Sequence, residues 1–233
     1  MPIIASLASA SKRGFEGLGS AVYYSNLFVR TETDYLSIPA NSDLSPGTSA
    51  FTIEFFIYPN TTPAYQSIFS CGLSGTSSQG FEIALTGTTL QMAKNTTGGS
   101  LNAYNSTLSV TALAWNYIVL TRRSTANNDT QWFVNGTADT AGTASNNFTA
   151  PSTLNTTIGI RRSVLTNPAN AYISNLRYRI GVGLSSAPVP TAPLTDDADT
   201  RLLTCQSSTI IDNATPPNTI TNNGVTVSTI APF

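Results

Sequence analysis

The sequence predicts an all-β fold, a two-sheet antiparallel sandwich, and three observations carry that prediction. From residue 21 onward the apolar segments are short, rich in β-branched or aromatic residues, and bounded by Gly, Pro, Asn or Ser, the pattern of many short strands. No stretch sustains a helical period through three turns, so almost no helix is expected. The chain has 40% hydrophobic but only 10% charged residues over 233 positions, about half the usual charge content. Thr, Ser, Asn and Gly must therefore cover the surface, and roughly 70% of the extended-chain area is available to build one core.

The candidate strands run in order as "AVYYS", "DYLSIP", "FTIEFFIYP", "SIFSC", "FEIAL", "TLQMA", "NYIVLTR", "TQWFVNG", "TTIGI", "AYISNLRYRI", "RLLTC" and "NTITNNGVTVS". In "FTIEFFIYP", alternation puts Phe51, Ile53, Phe55 and Ile57 on one face and Thr52, Glu54, Phe56 and Tyr58 on the other. Both faces carry aromatics, so this strand is expected to be central, with a second layer or a partner over its other side. Asn135-Gly136 tolerates the positive φ angles of a type I′ turn, which predicts a tight reversal into Thr137 to Thr140. The hairpin over residues 117–140 is read as scaffold, with Tyr117, Val119, Trp132 and Val134 as its core positions and Asn127, Asn128 and Asp129 as a solvated turn.

Residues 1–19, "MPIIASLASASKRGFEGLG", break the pattern: small residues, three glycines toward the end and no alternation. They are read as an N-terminal arm for docking, leaving residues 20–233 as the sandwich with its C-terminal strand extension. No basic region precedes the short apolar run at the start, so neither a signal peptide nor a membrane span is expected there, and synthesis without export by that route follows as an expectation.

The net charge is -1, and the basic residues occur as scattered pairs, Lys12-Arg13, Arg122-Arg123 and Arg161-Arg162. No basic stripe with interleaved aromatics exists, which argues against nucleic-acid binding. Each Arg pair is read as a strand end whose guanidinium groups reach solvent or a nearby carboxylate. Cys71 and Cys205 lie inside apolar runs and are expected as buried free thiols rather than a bridge. Eight Asn-x-Ser/Thr triplets, at Asn60, Asn95, Asn105, Asn128, Asn135, Asn147, Asn155 and Asn213, are read as a by-product of Asn and Thr richness.

The order and spacing of these segments resemble the laminin-G-like, concanavalin A-like jelly-roll family over roughly residues 21–205. That resemblance implies two curved antiparallel sheets packed face to face. It also places Trp115 and Trp132 at positions that serve the family as core anchors. The closing segment, with "SNLR", a Pro-rich crossover, "LLTC", an Asp-Asn turn and a terminal Pro-Phe, resembles that of laminin-G-like virion proteins of tailed, particularly marine and cyanobacterial, bacteriophages. What this implies is a structural protein on the phage particle surface, a capsid decoration (cement) protein or else a tail component, assembled in the host cytoplasm. Its partners would be other virion proteins and further copies of itself, packed through surfaces whose few charges lower the desolvation cost. The alternative is a carbohydrate-binding adhesin module that recognises host-surface glycans.

An enzyme is not expected, and no catalytic, cofactor or metal residues are assigned. The family's hydrolases carry a Glu-x-Asp-x-x-Glu cluster on one strand; here Glu54 and Glu82 stand alone, and a hydrolase would need them to share an open cleft with the spacing glycosidic cleavage demands. They are read instead as partly buried beside an Arg or a hydroxyl. Histidine is absent, which removes the usual general base and a common metal ligand. Calcium is the one ion left open, through Asp196, Asp197 and Asp199 in "TDDADT" with Asp129 and Asp139; capping of backbone donors is the simpler account of these acids. For a sugar, Tyr65, Tyr104, Asn127, Asn128 and Asp129 supply the residue types required.

Overall fold

A computed structural model describes residues 21–71, 80–95, 101–126, 128–142, 154–161 and 165–233. The proposed arm at 1–19 lies outside the described residues, as do Asn127, Asn147 and Arg162.

Two antiparallel sheets pack face to face, as the strand pattern and the jelly-roll resemblance both anticipate. The first carries β1 (Ser25–Phe28), β3 (Phe51–Pro59), β8 (Asn116–Arg122), β9 (Thr130–Val134), β10 (Thr137–Ala138), β12 (Ala171–Ile180), β13 (Thr200–Thr204) and β15 (Thr226–Ser228). Its order is β10-β9-β8-β3-β12-β1-β15, with β13 beside the second half of β12. The second sheet holds β2 (Tyr35–Ile38), β4 (Gln66–Cys71), β5 (Phe81–Thr86), β6 (Thr89–Asn95), β7 (Leu101–Ser109), β11 (Thr156–Ile158) and β14 (Thr221–Asn223), in the order β14-β2-β11-β4-β5-β6-β7. A 3-10 turn, Ser42–Leu44, is the one helical element among the described residues.

The core between the sheets follows the alternation. Phe51, Ile53, Phe55 and Ile57 of β3 meet Phe69 of β4 and Phe81, Ile83 and Leu85 of β5. Phe51, Phe69 and Phe81 ring Tyr178 edge-on, the arrangement aromatic quadrupoles favour. Cys71 and Cys205 are buried and unbridged, and burial pushes both thiols up to about 12.

The second layer expected over β3 is supplied by the chain itself. Phe56, Tyr117, Val119 and Phe133 form an outer cluster, closed by Leu184 and Ala187 of the Pro-rich crossover and by Phe233, whose ring meets Phe56 at 5.1 Å. This corrects one detail of the 117–140 hairpin. Trp132 and Val134 enter the main core together with Ile118 and Leu120, whereas Tyr117 and Val119 face the outer layer, because neighbours on a strand point to opposite faces. The reversal itself is as read: Asn135 and Gly136 have φ of 51° and 81°, and β10 returns along β9.

Strand β12 departs from simple alternation in a way that matters for the charges. Ala171 and Ile173 are core residues, and so are Leu176 and Tyr178, so the inward parity switches from odd to even. The register against β3 shifts between Ser174 and Arg177, with Asn175 at a φ of 53°. A bulge of this kind inserts one residue and re-aims those that follow. Without it Arg177 and Arg179 would point into the core.

Two further differences have plain causes. The first strand begins at Ser25, four residues later than "AVYYS" suggests, because its partners Ala171–Ile173 and Thr226–Ser228 lie opposite Ser25–Phe28. Strand β7 was not anticipated: "LNAYNSTLS" is rich in Asn and Ser, and its pairing with β6 compensates for poor intrinsic strand preference.

Candidate functional site

The two isolated glutamates do not share a cleft. Glu54 lies on β3 beside Phe56, on the outer face of the first sheet; Glu82 lies on β5 between Phe81 and Ile83 and so faces outward from the second. Both sheets stand between them, which rules out a carboxylate pair at glycosidase spacing. Each is pinned in the manner read from sequence. Glu54 is 2% exposed; its Oε1 receives Arg177 Nη2 at 2.8 Å and Arg179 Nη2 at 3.1 Å, and its Oε2 accepts the Tyr117 hydroxyl at 2.5 Å. Burial, and then the charge of Glu54, push the Tyr117 phenol far up. Glu82, fully buried, takes Arg161 Nε at 2.9 Å, while Arg161 also covers the Tyr65 ring and donates to its hydroxyl.

Three of the five loop acids, Asp197, Asp139 and Asp129, are likewise occupied. Asp197 Oδ1 accepts from the Asp199 N–H and the Thr200 hydroxyl, and its Oδ2 faces Arg177 at 3.7 Å and Arg179 at 3.5 Å. Burial raises the Asp197 carboxyl, but the Thr200 bond and the two guanidiniums outweigh it and hold it below the usual range. Asp139 receives Ser106, Thr107 and the Thr140 N–H, which together overcome burial and depress it too. Asp129 pairs with Arg123 and Ser124. No cluster of three metal-ligating side chains occurs among the described residues.

The aromatic candidates are scaffold. Tyr104 stacks on buried Trp132 and donates to the Thr140 carbonyl, while half-buried Trp115 packs edge-on to Tyr58. Asn128 sits exposed at a φ of 60°, an ordinary turn position for Asn. One Arg pair needs correction: Arg123 and Arg161 do reach carboxylates, but Arg122 is 0% exposed. It bonds the Gly47 and Ser49 carbonyls and lies over the Phe51 ring at 4.9 Å. Burial draws it down to about 10, so it stays charged at neutral pH.

Open polar space lies elsewhere, where the turn after β2 meets the segment after β13. Two adjoining depressions of about 310 and 260 Å³ share Asn41, Pro217 and Asn218 as lining. Asp43 and Arg201 complete the polar wall of the larger one, and Pro39 and Pro217 lie along the smaller. Asn41 caps the 3-10 turn by accepting the Asp43 N–H at 2.9 Å and donates to Asn218 Oδ1 at 2.8 Å. Behind the wall sits Asp212, only 7% exposed. Its Oδ1 accepts the N–H groups of Leu203 and Ala214, and its Oδ2 accepts Asn218 through both backbone and side chain. Four bonds to one buried carboxylate lock the loop on the end of β13, so the groove is built before any ligand arrives. None of these residues was singled out as a candidate from sequence: they are Asn and Pro in loops, with Asp43, Arg201 and Asp212, brought together from positions more than 150 residues apart. The Asp-Asn turn, Asp212-Asn213, was the available signal.

The sequence pattern of the Concanavalin A-like lectin/glucanases superfamily matches residues 30–178. No curated protein matches the sequence. Among solved structures, a candidate carbohydrate-binding protein from Bacteroides ovatus is similar over 89% of this chain at 18% identity and a TM-score of 0.60. The chain spans 60% of the length of that protein. A native heptameric SAP-like pentraxin from Limulus polyphemus matches 89% of this chain and 95% of its own, at 13% identity and a TM-score of 0.57. The binding domain of botulinum neurotoxin serotype G matches 70% of this chain and 40% of its own, at 11% identity and a TM-score of 0.53. Identities this low speak for the fold.

Proposed function

The chain belongs to the concanavalin A-like lectin/glucanase superfamily, and from that premise we propose that it is a carbohydrate-binding module that holds a saccharide in the groove between residues 39–43 and 200–218. The observation that carries this reading is the groove itself, a preformed concave surface. Amide, carboxylate and guanidinium groups stand in one wall and apolar proline rings lie beside them. Sugars need this mixture, since their hydroxyls seek fixed polar partners and their C–H faces seek an apolar surface. The Bacteroides neighbour, itself a candidate carbohydrate binder, adds support at the level of the fold.

Binding without cleavage is part of the proposal. It is supported by the placement of Glu54 and Glu82 on opposite outer faces, each held by arginine. The virion placement, with capsid or tail subunits and further copies as partners, rests on the resemblance of the closing segment alone; a host-glycan adhesin on such a surface would join the two readings. Copurification with particles tests that placement separately.

Titration of the protein against a panel of oligosaccharides by isothermal calorimetry tests the main reading. Saturable binding, weakened by Asn41→Ala in a variant that melts like the parent, is the expected result. A folded protein that binds nothing across the panel sinks it.

A further inference from the structure

We propose that the groove selects saccharides that bear a carboxylate, uronic or nonulosonic acids, and that Arg201 is the residue that reads the acid group; the proposal rests on the carbohydrate-binding reading above. Arg201 stands at the start of β13 and is half-buried. Its Nη1 donates to the carbonyls of Ala198 at 2.9 Å and Thr200 at 3.2 Å, which fixes the plane of the guanidinium. Nε and Nη2 bond to none of the described residues. Those two N–H groups form one edge of the guanidinium fork, and their spacing suits the two oxygens of a carboxylate.

Four arginines of the framework provide a contrast. Arg123, Arg161, Arg177 and Arg179 each reach a carboxylate, whereas Arg201 makes no ion pair among the described residues although Asp43 lines the same depression. Asp43 is exposed, and its carboxylate also bonds to none of the described residues. The groove thus presents a cation and an anion that do not neutralise each other. A ligand with an acid at one end and hydroxyl or amide donors at the other satisfies both, and the opposite charges fix which way round it lies.

The setting is rigid where selection needs it to be. The Arg201 carbonyl accepts Asn218 Nδ2 at 2.8 Å, and Asn218 is in turn held by buried Asp212. The backbone of Arg201 and the Asn218 side chain beside it therefore share one support. Arg201, Pro216, Pro217 and Asn218 also fall outside residues 30–178, the part matched by the superfamily.

Calorimetric titration of the whole protein with a galacturonate trisaccharide, sialyllactose and lactose tests the proposal. One of the two acidic ligands should bind about tenfold more tightly than lactose, as a charge-assisted bond implies, and added salt should erode that margin. Arg201→Gln should abolish the margin, and Arg201→Lys, which keeps the charge without the fork, should restore part of it. Which acidic ligand prevails identifies the acid class. Equal affinity for acidic and neutral sugars, unchanged in Arg201→Gln, overturns acid selection and leaves the carbohydrate reading standing. Absence of binding to every acidic and neutral sugar by a protein with a normal thermal melt overturns both.

Discussion

Two polar regions of this molecule use the same residue types to opposite ends. On the outer face of the first sheet, Glu54 and Asp197 balance Arg177 and Arg179, and Tyr117 closes the set. At the groove, Asp43 and Arg201 line one depression without meeting. In the first region Glu54, Arg177 and Arg179 are largely buried and the charges are matched, so its value is conformational: the ion pairs hold the crossover onto β12 and support the register between β12 and β3. The second is wet and its charges are unmatched, so it adds little to folding and is free to meet a ligand. The pairing of a charge, more than its presence, separates framework from recognition in this chain.

Removing a partner from the matched region should break the contrast most severely. Glu54→Ala leaves two guanidiniums without their main carboxylate, and a loss of about 3–5 kcal/mol is expected from urea unfolding. A smaller loss for Arg179→Ala than for Arg177→Ala would fit the single bond the former makes with Glu54 against the two of the latter. Asp212→Ala comes next. Its carboxylate serves four donors behind the groove, so a loss of about 1–3 kcal/mol should be accompanied by weaker saccharide binding, since the wall it braces is the wall a ligand would touch.

Acid should separate the regions more gently. The carboxyls of Asp139 and Asp197 are held below their ordinary value in the folded state. Their contribution is therefore complete above the unfolded value of ~4 and is lost as pH falls through the lower folded values. Thermal melts should be flat on this account from neutral pH down to ~5 and decline beneath ~4. A melting temperature that rises on acidification in that window contradicts the assignment. The smallest effect should come from the unmatched pair. Asp43→Ala and Arg201→Gln should each shift folding stability by less than ~0.5 kcal/mol while altering ligand affinity, and a large stability loss in either would place it among the framework charges.

Much of the fold was legible because a sandwich is written as alternation. Phe51, Ile53, Phe55 and Ile57 declared the core face of β3, and Asn135-Gly136 declared the turn between β9 and β10. Where alternation was interrupted, the reading faltered for a physical reason. In "AYISNLRYRI" one extra residue at the bulge switches the inward parity, and nothing in the residue types alone states that Asn175 adopts a positive φ. Strand β7 was missed because pairing with β6, rather than its own composition, makes it a strand. The groove was hidden more deeply. Asn41 and Asn218 are ordinary loop residues in a chain full of Asn, Asp43 lies in a short 3-10 turn and Arg201 near the start of a strand, and only the fold sets them side by side.

The two sheets also share a seam. Residues 221–223 extend the second sheet beside β2, and after Gly224, whose φ of 82° and closeness to Asp34 leave no room for a side chain, residues 226–228 extend the first sheet beside β1. One short segment therefore zips the same edge of both layers, and its partner in the first sheet, Ser25–Phe28, lies about 200 residues upstream. Loops of that length close late. During synthesis the edge at β1 and β2 must wait, unpaired, until residue 228 has emerged, so the nascent sandwich carries two open strand edges for most of its time on the ribosome. That interval is when such edges invite the wrong neighbour.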